Sequence, residues 1–135
     1  MLAAPLLVGA APPAKLSVEV EGLRSADGRL LLCLTRDSTA FPDCSADPHA
    51  IRSTTDAGEA GKLSFANLAS GNYALSVIHD ENGNGRLDTL LAIPREGFGF
   101  SRNPRIRFGP PRFAEARFAL AAGDNRQAVR VRYLL

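Results

Sequence analysis

The chain has 135 residues, of which 45% are hydrophobic and 22% are charged. These fractions are close to those of an ordinary globular protein, which at this length favours one packed domain and excludes two. The formal net charge of +2 is too small to indicate an anionic partner such as nucleic acid. Seven Phe, two Tyr and no Trp leave the core mainly to aliphatic side chains, as in a thin two-layer fold.

The first fourteen residues, MLAAPLLVGAAPPA, are apolar and uncharged. They are too short to span a bilayer, and they end in small residues and prolines, as secretory signal peptides do before the cleavage site. We therefore expect a signal peptide over 1–14 whose basic start lies further upstream, and one mature domain over 15–135. The alternative is a disordered cytoplasmic tail. The signal predicts a periplasmic or secreted protein with no membrane span in the mature chain.

Alternation of apolar and polar residues with a period of two dominates the sequence, whereas the helical period of 3.6 is almost absent. This pattern predicts an all-β domain without a helix longer than one turn. The strand that begins at Tyr73 has the longest apolar run and is expected to be central. The first five predicted strands are Leu16–Glu21, Arg29–Thr35, Ile51–Thr55, Leu63–Leu68 and Tyr73–His79.

The remaining sequence predicts a long connection followed by two strands. Residues 80–111 are rich in Gly, Asn and Pro, and within them Phe98 and Phe100 are expected to cap the end of the sandwich. The last two strands are predicted at Phe113–Leu120 and Ala128–Tyr133, with a turn at 122–125. The whole pattern predicts an antiparallel β-sandwich of about seven strands.

Cys33 and Cys44 are the only cysteines, one in an apolar strand and one in a polar loop. An even number of cysteines in an exported chain predicts a disulfide. No CxxC pair is present to indicate a structural zinc site, and neither cysteine lies beside a histidine in the sequence.

The segment after the fifth strand carries the main chemical signal. Residues 80–88 read D-x-N-x-N-G-x-x-D, which matches the first three-quarters of an EF-hand calcium loop. The predicted ligands are side-chain oxygens at loop positions one, three, five and nine and a backbone carbonyl at position seven, supplied by Asp80, Asn82, Asn84, Asp88 and Arg86.

The loop lacks the bidentate glutamate of an EF-hand, because position twelve is Leu91. Glu96 is the nearest substitute and is expected to fold back toward Asp80, where it either completes the metal shell or pairs with Arg86 or Arg102. The low ligand charge predicts a weak calcium site, with a Kd of about 10⁻⁴ to 10⁻³ M. The alternative is a metal-free turn in which Asp80 and Asn82 bind nearby backbone amides.

His79 precedes this loop, and a histidine beside carboxylates is either a base or a metal ligand in some enzymes. A lone histidine at a strand end is more often a structural hydrogen-bonding group. Ser70, Ser76 and Ser101 lack the nucleophile-elbow context of serine hydrolases. The sequence therefore predicts no catalytic residue.

Charge is unevenly distributed along the chain. Residues 95–132 contain nine Arg and only three acidic residues, whereas residues 37–96 contain nine acidic residues. The basic part is suited to an anionic glycan or another envelope component, although its alternating pattern also fits a solvated strand face. Nucleic acid is not expected as a partner of an exported protein.

The run Tyr73–Asp88, followed by Ile93–Ser101, resembles the signature of a bacterial exported family known as domain of unknown function 2141. The two parts read HDENGNGxxD and PxEGxGFS, and the resemblance extends from about Leu16 to Tyr133. It implies an exported β-sandwich similar to transthyretin-like or carboxypeptidase-regulatory-like modules, with no established activity. It also implies that Ser101 and Glu96 belong to the same loop system as Asp80.

These observations lead to three functional hypotheses. The first is an exported non-catalytic binding or structural module with a weak calcium loop at 80–96. The second is a small metal-dependent hydrolase that uses His79, Asp80 and Asp88, which requires an open metal coordination position. The third is a structural subunit of an envelope assembly.

Overall fold

A computed structural model describes residues 12–84, 89–90, 93–94, 96–106 and 109–134. The predicted signal segment therefore lies almost entirely outside the described residues. The described chain forms ten strands, one four-residue helix and two 3₁₀ turns at Cys44–Ala46 and Ala57–Glu59. The strands are β1 Ala14–Glu21, β2 Arg29–Thr35, β3 Ile51–Asp56, β4 Leu63–Leu68, β5 Gly71–Asp80, β6 Thr89–Leu90, β7 Ile93–Pro94, β8 Gly97–Phe100, β9 Phe118–Leu120 and β10 Gly123–Arg130, and the helix is α1 Phe113–Ala116.

Two sheets pack face to face, which confirms the all-β sandwich. One is three-stranded, in the order β10-β1-β4, and the other runs β3-β2-β5-β8 with β9 paired to the beginning of β5. Alternate residues of each strand enter the space between the sheets because successive side chains of a strand point to opposite faces. The main core includes Leu16 and Val18 from one sheet and Leu30, Leu75 and Val77 from the other.

The last strand pair differs from the sequence prediction. β10 runs parallel to β1, with the register from Ala14↔Gly123 to Glu21↔Arg130, so the sandwich is not wholly antiparallel. The predicted turn at 122–125 is wrong because Gly123 already lies in β10. β9 pairs with β5 in the opposite sheet, so the chain crosses between the sheets instead of forming a hairpin.

The predicted strand Phe113–Leu120 is also only partly correct. Phe113–Ala116 forms the single helical turn α1, and only Phe118–Leu120 is a strand. Glu115 favours the helical turn because its carboxylate accepts a hydrogen bond from the Arg112 N–H at 3.1 Å, as in a capping box. In the part of the chain that the structure covers, no helix is long and apolar enough to cross a membrane.

The Gly-Phe-Gly-Phe segment is strand β8 and not an end cap, which corrects the sequence interpretation. Phe98 lies opposite Ile78, and Phe100 lies opposite Ser76 on β5. The alternation has a steric reason, because a Cβ on Gly97 would lie 2.5 Å from Val131 and one on Gly99 would lie 2.7 Å from the Arg130 carbonyl. The glycines therefore let the end of β10 and the residues after it pack directly on β8.

The outer face of the five-stranded sheet is covered by a second hydrophobic cluster. Phe98 and Phe100 contribute from β8, and Ala74 contributes from β5. Phe41 and Ala116 cover them from the two long connections, 36–50 and 101–117. Because both faces of this sheet are buried, β5 is buried along most of its length and is the central strand, as predicted.

Cys33 and Cys44 form a disulfide, as the sequence predicts, with their Cα atoms 6.0 Å apart. The bridge joins β2 to the 3₁₀ turn Cys44–Ala46 and closes a loop with a sequence separation of 11. It thereby holds the connection that carries Phe41 against the sheet.

Replacing both cysteines by alanine is expected to lower the free energy of unfolding by about 3 kcal/mol, because the unfolded chain regains the entropy of this loop. Urea denaturation of the oxidised protein and of the double variant measures the difference. Reductant should reproduce the loss in the native chain and leave the variant unchanged. A difference of less than about 0.5 kcal/mol would show that the bridge contributes nothing beyond an ordinary surface substitution.

Candidate metal-binding loop and its supporting network

The loop predicted to bind calcium begins at Asp80, the last residue of β5, whose side chain is buried. The Asp80 Oδ1 and the Asn82 Oδ1 each accept a hydrogen bond from the Asn84 N–H at 3.2 Å. The Asp80 carbonyl accepts one from the Gly83 N–H at 3.3 Å. Gly83 has a φ of +70°, which glycine adopts without strain. The first half of the loop is therefore an Asx-type turn organised around the Asp80 carboxylate.

Glu96, just before β8, approaches the same loop. It is buried, and its Oε2 accepts a hydrogen bond from the backbone N–H of Glu81. The carboxylates of Asp80 and Glu96 thus both bind backbone amides within residues 81–84. The structure brings Glu96 to the loop, and its role as a metal ligand stays a prediction.

The other predicted ligands, Arg86 and Asp88, lie outside the described residues. Among the His, Cys, Asp and Glu side chains that the structure describes, no three form a group able to hold a metal ion. The described part of the candidate site consists of Asp80, Asn82, Asn84 and Glu96.

Glu81, the second residue of the loop, is bound by residues of the connection between β1 and β2. Its carboxylate accepts hydrogen bonds from the Arg24 Nε at 2.9 Å and the Ser25 hydroxyl at 3.2 Å. The Arg24 guanidinium lowers the pKa of Glu81, and the bonded carboxylate raises the pKa of Arg24. Arg24 also lies over the ring of Tyr133, with its guanidinium carbon 4.4 Å from the ring centroid, as in a cation–π contact.

His79 is fully buried and both of its ring nitrogens have partners within the protein. Its Nε2 lies 2.7 Å from the Asp27 carbonyl oxygen, and its Nδ1 lies 2.6 Å from the Tyr133 hydroxyl. Since a carbonyl only accepts, Nε2 carries the proton, and the Tyr133 hydroxyl donates to Nδ1 in the neutral ring. The backbone N–H of Arg24 completes the chain by donating to the Tyr133 oxygen at 3.1 Å. Burial raises the pKa of Tyr133, which keeps its hydroxyl a donor.

This network was not visible in the sequence, because its members are far apart along the chain. Arg24 is separated from Glu81 by 57 positions and from Tyr133 by 109. Arg24 and Tyr133 lie in no motif with chemical meaning, and Glu81 occupies a loop position that supplies no predicted ligand. The network joins the 22–28 connection and the C-terminal segment to the start of the candidate loop.

The Ser101 side chain binds backbone groups inside the protein and does not lie beside the Asp80 loop. Its hydroxyl donates to the Ala116 carbonyl at 2.6 Å and accepts from the Leu75 N–H at 3.0 Å, and the side chain is fully buried. Glu96 and Ser101 lie at opposite ends of β8, so the single loop system implied by the resemblance is divided. Ser101 fixes α1 to the middle of β5.

The fold and the loop define a β-sandwich module with an Asx/Gly loop at one strand end. The chain belongs to the DUF2141 family, described as an uncharacterized protein conserved in bacteria, whose family model matches residues 18–128. Comparison with curated proteins and with solved structures found no match.

Proposed function

We propose that this protein is an exported, non-catalytic binding or structural module in which a calcium ion orders the 80–96 loop. The observation that carries the proposal is the approach of Glu96, whose carboxylate accepts a hydrogen bond from the Glu81 N–H. The spacing of Asp80, Asn82 and Asn84 supplies oxygen ligands of the kind that calcium takes in EF-hand-type loops. Glu96 supplies a carboxylate to the same segment from outside the twelve-residue motif.

The electrostatics of the loop support a cation. Asp80 is 1% exposed and Glu96 is 5% exposed, so two carboxylates are removed from water near residues 81–84. Buried carboxylates require hydrogen bonds or positive charge, and a divalent cation would supply positive charge to both. Arg24 donates a hydrogen bond to the carboxylate of Glu81, the residue at loop position two. This bond holds the Glu81 carboxylate toward the 22–28 connection.

Export is supported by the disulfide and by the apolar segment over 1–14. Disulfides persist in the periplasm and outside the cell, whereas cytosolic thiols are kept reduced. Expression with the native leader in a bacterial host, followed by cell fractionation, tests the location. Retention of the protein in the cytosol with Cys33 and Cys44 reduced would contradict export.

The environment of His79 is less suited to the hydrolase hypothesis than to a structural role. Both ring nitrogens already bind protein groups, and the ring is fully buried. A catalytic base or a metal ligand must present one nitrogen to the substrate or metal. We therefore assign His79 to the support of the loop.

Calcium is expected to stabilise the folded protein. With a Kd of about 10⁻⁴ to 10⁻³ M, 10 mM calcium should contribute roughly 1.4 to 2.7 kcal/mol through binding to the native state alone. For a domain of this size the midpoint of thermal unfolding should rise by about 5 to 10 °C relative to EGTA. Scanning calorimetry in both buffers, together with a calcium titration, measures the effect.

Three variants test whether the loop residues bind the calcium ion. Asp80→Ala and Asn82→Ala each remove a proposed ligand, and Asn82 is exposed, so its loss does not disturb the core. Both variants should have the same midpoint in calcium and in EGTA. Glu59→Gln, an exposed acidic residue after β3, is the control and should respond like the native chain. Equal midpoints of the native protein in calcium and EGTA would remove the metal from the proposal.

A further inference from the structure

A cleft opens on the outer side of the five-stranded sheet, where residues 38–42 meet residues 110–117. Its volume is about 600 Å³, which lies in the range of small-molecule binding sites. The principal lining residues are five rings and two basic side chains, so we call it the Phe/Arg cleft. The rings are those of Phe41, Pro42, Pro110, Pro111 and Phe113, and the basic residues are Arg112 and Arg117.

The floor of the Phe/Arg cleft is apolar and held in place. The rings of Phe41 and Phe113 pack edge to face, with centroids 6.1 Å apart. Phe41 also packs edge to face on Phe100 of β8, at 5.7 Å. The floor is thus continuous with the second hydrophobic cluster. The disulfide fixes the connection that carries Phe41, so little ordering is required when a ligand binds.

The charged residues that line the Phe/Arg cleft are both basic. Arg112 and Arg117 are exposed, and no carboxylate is among the described residues that line the cleft. Arg112 contacts Glu115 at 3.4 Å, but both side chains are well exposed, and such surface pairs are weak. Arg117 makes no ion pair with any side chain that the structure describes. A guanidinium group matches the planar, bidentate geometry of a carboxylate.

We propose that the Phe/Arg cleft binds a single-chain amphiphilic carboxylate, a molecule with an acyl body and one terminal carboxylate. The acyl body lies on Phe41 and Phe113, and the carboxylate binds Arg112 and Arg117 at the rim. The apolar floor selects against small inorganic anions, and the arginines select against neutral or cationic amphiphiles. This site is separate from the 80–96 loop and does not depend on calcium.

The test uses sodium decanoate, below its micelle concentration and at low salt, with the full chain. Isothermal titration calorimetry should show saturable binding of one decanoate per protein, and amide NMR shifts should concentrate at residues 38–42 and 110–117. Acetate lacks the acyl body and decyl maltoside lacks the charge, so each should bind at least tenfold more weakly. Added salt should weaken decanoate binding, because the arginines are exposed.

Two variants and one control assign the site. The double variant Arg112→Gln with Arg117→Gln removes the charge and should weaken decanoate binding at least tenfold. Ala114→Glu places a carboxylate at an exposed position of α1 that lines the cleft, and it should have the same effect without altering the core. Arg126 is exposed on β10 of the three-stranded sheet, so Arg126→Gln should leave decanoate binding unchanged.

Several results would overturn the proposal. Acetate or decyl maltoside binding as tightly as decanoate would show a simple anion site or an unselective apolar surface. Equal weakening by Arg126→Gln would show a general charge effect. Binding only to vesicles of anionic phospholipid, or protein self-association that Ala114→Glu abolishes, would show that a membrane or a second copy of the chain occupies the cleft.

Discussion

Replacing Gly28 by alanine is expected to destabilise the protein by roughly 2 to 6 kcal/mol, because positive-φ strain and steric overlap each contribute roughly 1–3 kcal/mol. Gly28 has a φ of +69°, and a Cβ at this position would lie 2.1 Å from the Asp80 carbonyl oxygen and 2.6 Å from that of Glu81. Both neighbouring atoms are backbone, so no side-chain rotation relieves the overlap. The substitution should separate the 22–28 connection from the start of the candidate calcium loop.

Gly58→Ala is the matched control for this prediction. Gly58 also lies in a short turn, but no atom lies within 4 Å of the position of its Cβ. An alanine there should leave stability unchanged or raise it by up to about 1 kcal/mol, because the unfolded chain loses entropy. Urea denaturation measures both variants, and calcium titration of Gly28→Ala, where it folds, reports on the loop. Similar small effects of the two substitutions would contradict the close packing of Gly28 on Asp80.

His79→Ala is expected to lower the free energy of unfolding by at least about 4 kcal/mol. The substitution leaves a cavity in place of a fully buried ring, and large-to-small changes in a core cost about 2 to 5 kcal/mol. It also leaves the Tyr133 hydroxyl and the Asp27 carbonyl without their partner, which costs roughly 1 to 3 kcal/mol for each unsatisfied group. Tyr133→Phe removes the donor to Nδ1 and the acceptor of the Arg24 N–H, and it should cost about 1 to 3 kcal/mol.

The other histidine of the chain provides the control. His49 is exposed, so His49→Ala should change stability by less than about 0.5 kcal/mol. Thermal and urea denaturation at neutral pH compare the three variants. A catalytic or metal-binding role without a structural one predicts the opposite pattern, with His79→Ala as stable as the native chain. That result would return the hydrolase hypothesis to consideration.

The strands of the first half of the chain were predictable because each is a short alternating or mostly apolar run bounded by turn residues. β2 occupies Arg29–Thr35 as predicted, and β1 begins at Ala14, one residue before the predicted start of the domain. Periodicity succeeds best for β1, because Leu16, Val18 and Val20 on one face are buried and the residues between them are not. β8 was missed because its inward residues are glycines, so the usual apolar alternation is inverted.

The C-terminal part was less predictable for a topological reason. Alternation identifies a strand but not its partner, and adjacent strands are usually paired as hairpins. β9 and β10 instead belong to different sheets, and the choice depends on the space beside β1 and β5. α1 depends on the hydrogen bond between Arg112 and Glu115, at a place where apolar residues also fit a strand.

In the candidate loop, too, the sequence predicted some features and only the structure showed the others. Its first residues were apparent from the D-x-N-x-N-G spacing, because local turn chemistry depends on neighbours in the sequence. The approach of Glu96 was expected only as the nearest available carboxylate, and the structure supplies the contact with the Glu81 N–H. Arg24 and Tyr133 were not expected, since nothing near them in the sequence indicates a contact with Glu81 or His79.

By itself, the sequence determined the all-β class, most strand positions, the Cys33–Cys44 pairing and the family. Each of these follows from short-range periodicity, from the presence of only two cysteines, or from motifs that are contiguous in the chain. The tertiary structure alone decided the parallel β1–β10 pair, the placement of Ser101 under α1 and the chain of hydrogen bonds from Arg24 through Tyr133 to the buried His79. These features depend on contacts between distant segments, which form only when the two sheets pack and polar groups removed from water must find partners.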